Sequence, residues 1–556
     1  MDLLDKCALK DWRLIDKDKP VDEQLQDGRS AAKVNATLLC AAITHNCSVN
    51  AVKLYLEHYR EEGEEFQAVM HRATSALYYA IARNLPELVS LLLEYGLHPD
   101  GKDTDFIPPI AFAIIYGYAK LQNTTEIVKI LLAAGVDPRT IPEDMWINYL
   151  DQPQKGEPEP TTTKDPVTKW MAKLDDSRAR LVPALNLSQR YYLFRASQIP
   201  RPTTRSKQLA DMHDVTKLFK APYHLIGQSF AVNTIQTLAL HHIAMTIDEP
   251  SPLILAFAGP PGHGKTELAE QLGGLLSIKH VVIDCSHMST DTELFGSKNG
   301  YIRCQEGSRL NNFLAQNNGL CSVVFLDEID KSQAEVYNSL LTVFSEGRYE
   351  DRRTNRVLDC NKTIWILASN LGDEVIADYY ERTMKTKKEE EKATVDISPL
   401  ITDLRDLFIG QFSAPLVSRI DDIIPFFPFS LGEQAVVAHK FLLKFSDKIC
   451  KNIDLRPEVK RHMGHCVLSV QDDGKLCKFM AESGYDRTSG ARGLKREAVK
   501  IQGLTRTSYN AVEGEVTEEL NNGPLQKFEA KLIKLPNNKF EIGVTREYAE
   551  GFYSQY

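Results

Sequence analysis

What this 556-residue chain lacks narrows its class before any motif is read. No apolar run approaches the ~18 residues that a membrane-spanning helix needs, which excludes an integral helical membrane protein. Basic residues are not in excess: Lys plus Arg number 66 against 75 Asp plus Glu, a net charge of −9. A chain built to neutralise nucleic-acid phosphates usually leans basic in at least one domain, so the balance argues against nucleic acid as a partner. No CxxC pair occurs among the ten cysteines, which are scattered at positions 7, 40, 47, 285, 304, 321, 360, 450, 466 and 477. They read as buried, reduced thiols rather than a disulfide framework or a zinc site. The first twenty residues hold five Asp and no apolar stretch, unlike a secretory signal or a mitochondrial transit peptide. A cytoplasmic or nuclear location is the expectation.

What is present begins with an internal repeat. Thr74–Asp100 recurs as Pro108–Pro138, and each copy pairs a helix of small residues with a second apolar helix that ends at Gly96 or Gly135. Glycine there supplies a left-handed helix stop. Leu77 and Ile110 stand one ankyrin period apart, ~33 residues. A degenerate copy starts near Asn35, with Leu39 preceding Leu77 by a slightly longer interval. The stretch resembles an ankyrin array of about three repeats, with an insertion in at least two of them; an unrelated bundle of helical hairpins would leave a similar pattern. Asp151–Pro166 is rich in Pro, Thr and charge, too poor in apolar surface to order itself, and reads as a linker. A basic helical connector, Val167–Lys220, leads to a second half in which short apolar runs alternate with helical patterns, the signature of an α/β domain with a mostly parallel sheet. The charged block Glu381–Ala393 interrupts it as a solvated helix or loop.

Chemistry concentrates in that half. The apolar run Leu253–Ala258 predicts a buried strand, followed by Gly259-Pro260-Pro261-Gly262-His263-Gly264-Lys265-Thr266 and a helical pattern opening with Glu267. Strand, GxxxxGK[ST], helix is the full context of a phosphate-binding loop. Its backbone N–H groups wrap the phosphates and the helix N-terminus adds partial positive charge. Lys265 is expected to reach the β- and γ-phosphates of ATP, and the Thr266 hydroxyl to bind Mg²⁺. His263 fills a variable slot and receives no role of its own. A second strand, Val323–Leu326, lies downstream and ends in Asp327-Glu328. A carboxylate at the tip of a parallel strand faces the ligand crevice. Asp327 suits Mg²⁺, and Glu328 suits positioning or deprotonating an attacking water. A third strand ends at Asn370, whose amide could orient water or the γ-phosphate, although a buried strand often ends in a polar residue. Arg419 precedes an apolar strand and Arg492 opens a helix; an ordinary surface ion pair would account for either.

The order GPPGHGKT, FLDEID, ASN, SRID, GAR resembles that of AAA+ ATPases of the Clp/ClpB branch, as do LIGQ at 225–228, Glu293–Gly307 and Asn338–Asp351. The similarity runs from about His224 to the C-terminus and is strongest to the second ATPase ring of ClpB-type disaggregases. The resemblance implies ATP and Mg²⁺ as cofactors, with Lys265, Thr266 and Asp327 holding them and Glu328 driving hydrolysis. It implies Asn370 as the sensor-1 residue, Arg419 as an arginine finger acting on the neighbouring subunit, and Arg492 as sensor 2. Ile226 falls in the segment beside the adenine, and Gly300-Tyr301-Ile302 in a pore loop that grips threaded polypeptide. The coiled-coil insert of ClpB and the Ile-Gly-aliphatic or Ile-Gly-Phe docking tripeptide of protease-linked relatives are not evident, so a peptidase partner is not expected. The C-terminal stretch, with helical patterns and a hairpin around Pro536-Asn537-Asn538, looks like the Clp small domain.

The expected architecture is multidomain: an N-terminal segment (1–34), an α-helical ankyrin-like solenoid (35–150), linker and connector (151–220), an α/β P-loop AAA+ core (221–429) and an α+β Clp small domain (430–556). The function expected is an ATP-dependent protein unfoldase or disaggregase working as a self-assembled ring, a hexamer by resemblance, on unfolded or aggregated polypeptide. The ankyrin part would recruit substrate or adaptor. The rival reading is an ankyrin-based binding scaffold whose ATPase acts as an assembly switch.

Overall fold

A strand that is apolar at every position needs cover on both faces, and the chain provides it. In a computed structural model of the protein, the described residues are 15–16, 18–30, 33–100, 107–154, 167–174, 176–245, 250–297, 306–392, 394–536 and 538–547. They divide into two compact units, each assembled from separate stretches of chain.

One unit comprises Gln198–Gln434 with Ala481–Arg496. Its centre is a five-stranded sheet of β1 (Leu253–Ala258), β2 (Lys279–Asp284), β3 (Ser322–Asp327), β6 (Thr363–Ser369) and β7 (Asp422–Pro425), in the order β2-β3-β6-β1-β7. Every pair is parallel, in registers such as Leu255 opposite Ile366 and Val324 opposite Trp365. The short hairpin of β4 (Arg348–Asp351) and β5 (Arg356–Asp359) is antiparallel and separate. Alternate residues of one strand feed opposite cores. Ile254, Val324, Leu326 and Trp365 pack on one face, with the helix Ser398–Phe412. Leu255, Phe257, Phe325 and Ile366 pack on the other, with the helices Ser229–Met245 and Lys265–Leu275. That is why these runs read as continuous rather than alternating hydrophobicity. The charged block contains the end of the helix Asp373–Thr383 and the short helix Glu389–Lys392.

The other unit comprises Met1–Ser197, Ala435–Met480 and Glu497–Tyr556. Helices come in pairs: Ala36–Thr44 with Val49–Tyr59, Thr74–Ala82 with Pro86–Glu94, and Pro109–Ala119 with Thr125–Ala133. The first helices of successive pairs pack on one another, burying Leu39, Leu77 and Ile110 completely. An extra helix, Glu64–Arg72, lies between the first two pairs and accounts for the longer spacing there. Gly96 and Gly135 take φ of +97° and +103°, the left-handed stop expected of them. A three-stranded sheet in the order β10-β9-β8 completes the unit. β8 (Cys466–Val470) lies parallel to β9 (Gln526–Lys534), and the predicted hairpin joins β9 to β10 (Phe540–Glu547). Of the expected linker, 151–154 is described and the remainder, 155–166, lies outside the described residues. No described helix is long and apolar enough to cross a membrane, and Cys40, Cys47, Cys285, Cys360, Cys466 and Cys477 are buried free thiols.

Candidate functional site

Three strands that are adjacent in the sheet deliver the site. β1 lies beside β6 and β6 beside β3, so the phosphate-loop sequence after β1, Asn370 after β6 and Asp327-Glu328 at the end of β3 emerge at one carboxyl edge. Crevices at such edges are where open parallel sheets bind ligands. The loop is shaped by positive φ at Gly259 (+140°), Gly262 (+75°) and Gly264 (+95°). At Gly262 space is as decisive as angle, because a side chain there would meet the Ser489 carbonyl. The helix Lys265–Leu275 starts directly after Gly264, with Glu267 exposed in its first turn.

Lys265 is buried, and its ammonium donates to the carbonyl oxygens of Gly259 (2.5 Å) and Pro260 (3.1 Å) and to Oδ1 of Asn370 (2.9 Å). Burial pulls its pKa down to about 8, opposed by the carboxylates of Asp327, Asp330, Asp373 and Glu328 around it. The Thr266 hydroxyl donates to Oδ2 of Asp327 at 3.2 Å, and Oδ1 accepts the Glu328 amide at 3.1 Å. Burial raises the Asp327 carboxyl above the ordinary carboxylate range, against the lowering effect of the Thr266 bond. A half-buried carboxylate and a hydroxyl side by side form a hard oxygen pair that fits Mg²⁺, which takes few protein ligands and keeps several waters. Glu328 has φ of +53°, a left-handed conformation that is costly for a residue with a side chain. Its carboxylate accepts from Lys331 Nζ at 2.7 Å.

Ile226 is buried in a segment that abuts the loop: a side chain at Gly264 would come within 2.8 Å of Leu225 Cδ1. The next residues include Gln228, whose amide donates to the Phe427 carbonyl (2.7 Å) and accepts the Phe427 N–H (3.0 Å). Arg492 is exposed and opens the helix Ala491–Asn510, and the amide of Ala491 beside it donates to the Gly262 carbonyl at 3.0 Å. Arg419 stands apart from this cluster, its guanidinium donating to the Ser345 hydroxyl and the Pro415 carbonyl. Gly300, Tyr301 and Ile302 lie outside the described residues.

Sequence reasoning gave no role of their own to three residues beside the loop. The His263 ring is fully buried, stacked on Phe429 (centroids 4.9 Å apart, 24° between planes) and hydrogen-bonded to the Tyr485 hydroxyl (2.9 Å). Only an aromatic-rich context, Pro425–Phe429 and Gly484-Tyr485, hinted at packing there, and nothing local pointed to His263.

Residues 252–422 match the family model described as AAA domain (Cdc48 subfamily). The chain is similar to the chaperone protein ClpB of Chlamydia caviae, 29% identical over 303 residues, which covers 53% of this chain and 32% of that protein. It is similar to ClpB of Chlamydia trachomatis, 30% identical over 300 residues, with 52% and 32% covered. The ClpB of Staphylococcus aureus is 31% identical over 279 residues, with 49% and 29% covered. The chain therefore spans about a third of the length of the curated relatives it matches. A solved structure described as the closed-state cryo-EM reconstruction of Hsp104 with ATPγS and FITC casein overlaps 89% of this chain and 69% of that one, at 16% identity and a TM-score of 0.41, too loose a likeness to build on. The chain thus carries an AAA domain match over residues 252–422, and over about half of its length it is similar to the chaperone protein ClpB.

Proposed function

We propose that the chain is an ATP-driven protein unfoldase or disaggregase that works as a homo-oligomeric ring. The observation that carries this reading is the convergence of Lys265, Thr266, Asp327, Glu328 and Asn370 on one sheet edge, in a segment similar to the chaperone protein ClpB. In this reading Lys265 and the loop amides hold the phosphates of ATP. Thr266 and Asp327 hold Mg²⁺, directly or through water, and the cation supplies neutralising charge for the phosphate oxygens. Glu328 orients and deprotonates the attacking water, while Asn370 fixes its line of approach. Ile226 lies beside the base, and Arg492 reads the nucleotide from the segment that bonds Gly262.

Arg419 then serves the site of a neighbouring subunit. Transition-state charge is neutralised only where a second copy supplies that guanidinium, so turnover depends on assembly. The Gly300-Tyr301-Ile302 loop grips the threaded polypeptide through its aromatic ring. The paired helices of the N-terminal region act as an ankyrin-type surface that recruits substrate or adaptor, since stacked repeats offer an extended binding face.

ATP turnover measured across a protein-concentration series, with and without unfolded casein, tests the reading. The expected result is turnover per subunit that rises cooperatively with concentration and increases further with casein. Turnover that is constant per subunit and indifferent to casein would remove the ring unfoldase in favour of a nucleotide-switched scaffold.

A further inference from the structure

His263 occupies the phosphate-loop slot between two positive-φ glycines, and its ring points away from solvent. Nδ1 lies 2.9 Å from the Pro261 carbonyl and Nε2 2.9 Å from the Tyr485 hydroxyl. A carbonyl can only accept, so Nδ1 carries the proton and Nε2 accepts from the phenol. The Phe429 ring stacks on the same imidazole, its centroid 4.9 Å away. The result is a two-bond relay: Tyr485 O–H to His263, His263 N–H to Pro261. Burial holds the imidazole down to about 4, so the ring stays neutral and the relay keeps this direction at physiological pH.

A second, backbone connection runs beside it. Ala491 N–H donates to the Gly262 carbonyl at 3.0 Å, and a side chain at Gly490 would stand 2.7 Å from that same oxygen. The peptide planes around residue 263 thus hold Tyr485 through the ring and Ala491 through the carbonyl. Arg492 is the next residue in the chain. Any rotation of the 261–264 peptides when their N–H groups turn toward phosphate must move both attachments together.

We propose that His263 is a positioning residue that transmits the conformation of the phosphate loop to the 485–492 segment and so sets where Arg492 stands. The proposal rests on the nucleotide reading above. It assigns a role to a side chain in the slot of the motif that nucleotide binding leaves unspecified, and it makes Tyr485 the receiving end.

Hydrogen exchange over residues 484–493 in the full chain, with and without Mg-ADP, tests it alongside titration with fluorescent ADP. Two variants are compared with the wild type. Tyr485→Phe removes only the hydroxyl, and His263→Phe keeps the stacking on Phe429 but removes both bonds. In the wild type, Mg-ADP is expected to change exchange across 484–493. Both variants should bind fluorescent ADP within about threefold of wild type, because Lys265 and Thr266 are untouched. They should lose the exchange response, and kcat should fall about tenfold at unchanged KM for ATP. Variants that bind ADP and keep the full exchange response would overturn the coupling alone. A wild type that binds no fluorescent ADP would sink the nucleotide reading, and this coupling with it. Because Tyr485→Phe changes no ring packing, its outcome stands even where His263→Phe folds poorly.

Discussion

Glu328 shows how little of a residue's role its composition reveals. It is one of two adjacent carboxylates at the end of β3, yet the two are held differently. Asp327 continues the strand and turns its carboxylate toward Thr266. Glu328 leaves the sheet in a left-handed conformation (φ +53°) that re-aims its side chain, with Lys331 donating to it at 2.7 Å. Strain of that kind costs of order 1–3 kcal/mol and persists where the surroundings enforce it, often at functional sites. Replacing Glu328 by Gln keeps size and conformation but removes the base. Turnover is expected to fall about 10²- to 10⁴-fold, while binding of fluorescent ADP stays close to wild type. Quench-flow turnover beside an equilibrium titration checks both. Undiminished turnover in Glu328→Gln would move the base elsewhere, with Asp330, two residues on, the next acidic side chain after Asp327.

At the scale of elements, legibility divides by the range of the contact. β1, β3 and β6 could be read almost to the residue because both faces of the parallel sheet are covered, which leaves unbroken apolar runs such as Leu253–Ala258 and Thr363–Ser369. The β9–β10 hairpin was legible from alternation around its turn, and the helix stops from Gly96 and Gly135. Contacts between residues hundreds of positions apart leave no such periodic trace. His263 and Tyr485 are separated by 222 residues, and Arg190 and Asp473 by 283. The helix Leu187–Gln198 carries Arg190, which its charge would place at the surface. It is fully buried, donating to Asp473 (2.7 Å) and to the carbonyls of Leu185 (2.6 Å) and Tyr149 (2.9 Å). Asp473 also accepts the Leu187 amide (2.6 Å) and Gln152 (2.9 Å). Satisfied this fully, a buried charge pair is tolerated, and removing either partner costs about 3–5 kcal/mol.

His439 gives that network a pH signature. Its Nδ1 pairs with the Ser188 hydroxyl at 2.8 Å, and Asp473 and Arg190 face it from the surrounding elements. Burial holds its pKa down to about 4, which Asp473 opposes and Arg190 assists. The folded state therefore refuses a proton that the unfolded chain takes up near pH 6.5. The unfolded state binds more protons throughout the window from about 6.5 down to about 4, so stability is lost as pH falls through it. From pH 7 to pH 5 this one group is expected to cost about 2 kcal/mol. Urea unfolding at the two values, in wild type and His439→Asn, measures it. The asparagine keeps a partner for Ser188 without a titrating ring, and its pH dependence should be shallower by that amount. Parallel dependences would mean that His439 does not carry the effect.

For the whole molecule, a detachable recruiter and an integral part of the fold make opposite demands on the N-terminal region. A recruitment module strung on a linker could be cut away and leave the remainder folded. Yet Met1–Ser197 forms one compact unit with 435–480 and 497–556. Within that unit Arg190 neutralises Asp473, Asn123 bonds Asp447 at 3.0 Å, and the Leu150 carbonyl lies so close to Gly474 that no side chain fits between them. A chain beginning at Gln198 would leave Asp473 without its cation and deprive the unit's apolar core, which includes Leu442, Leu476 and Met480, of its N-terminal helices. Losing the buried ion-pair partner alone approaches the ~5–15 kcal/mol that stabilises a whole domain. The expected outcome is a truncated chain that aggregates or melts without a cooperative transition, as followed by differential scanning calorimetry and sedimentation. A monodisperse chain with a full-length melting temperature would show the opposite: the N-terminal helices would then be a detachable recruiter, and the discontinuous unit would have no role in holding 435–480 and 497–556 together.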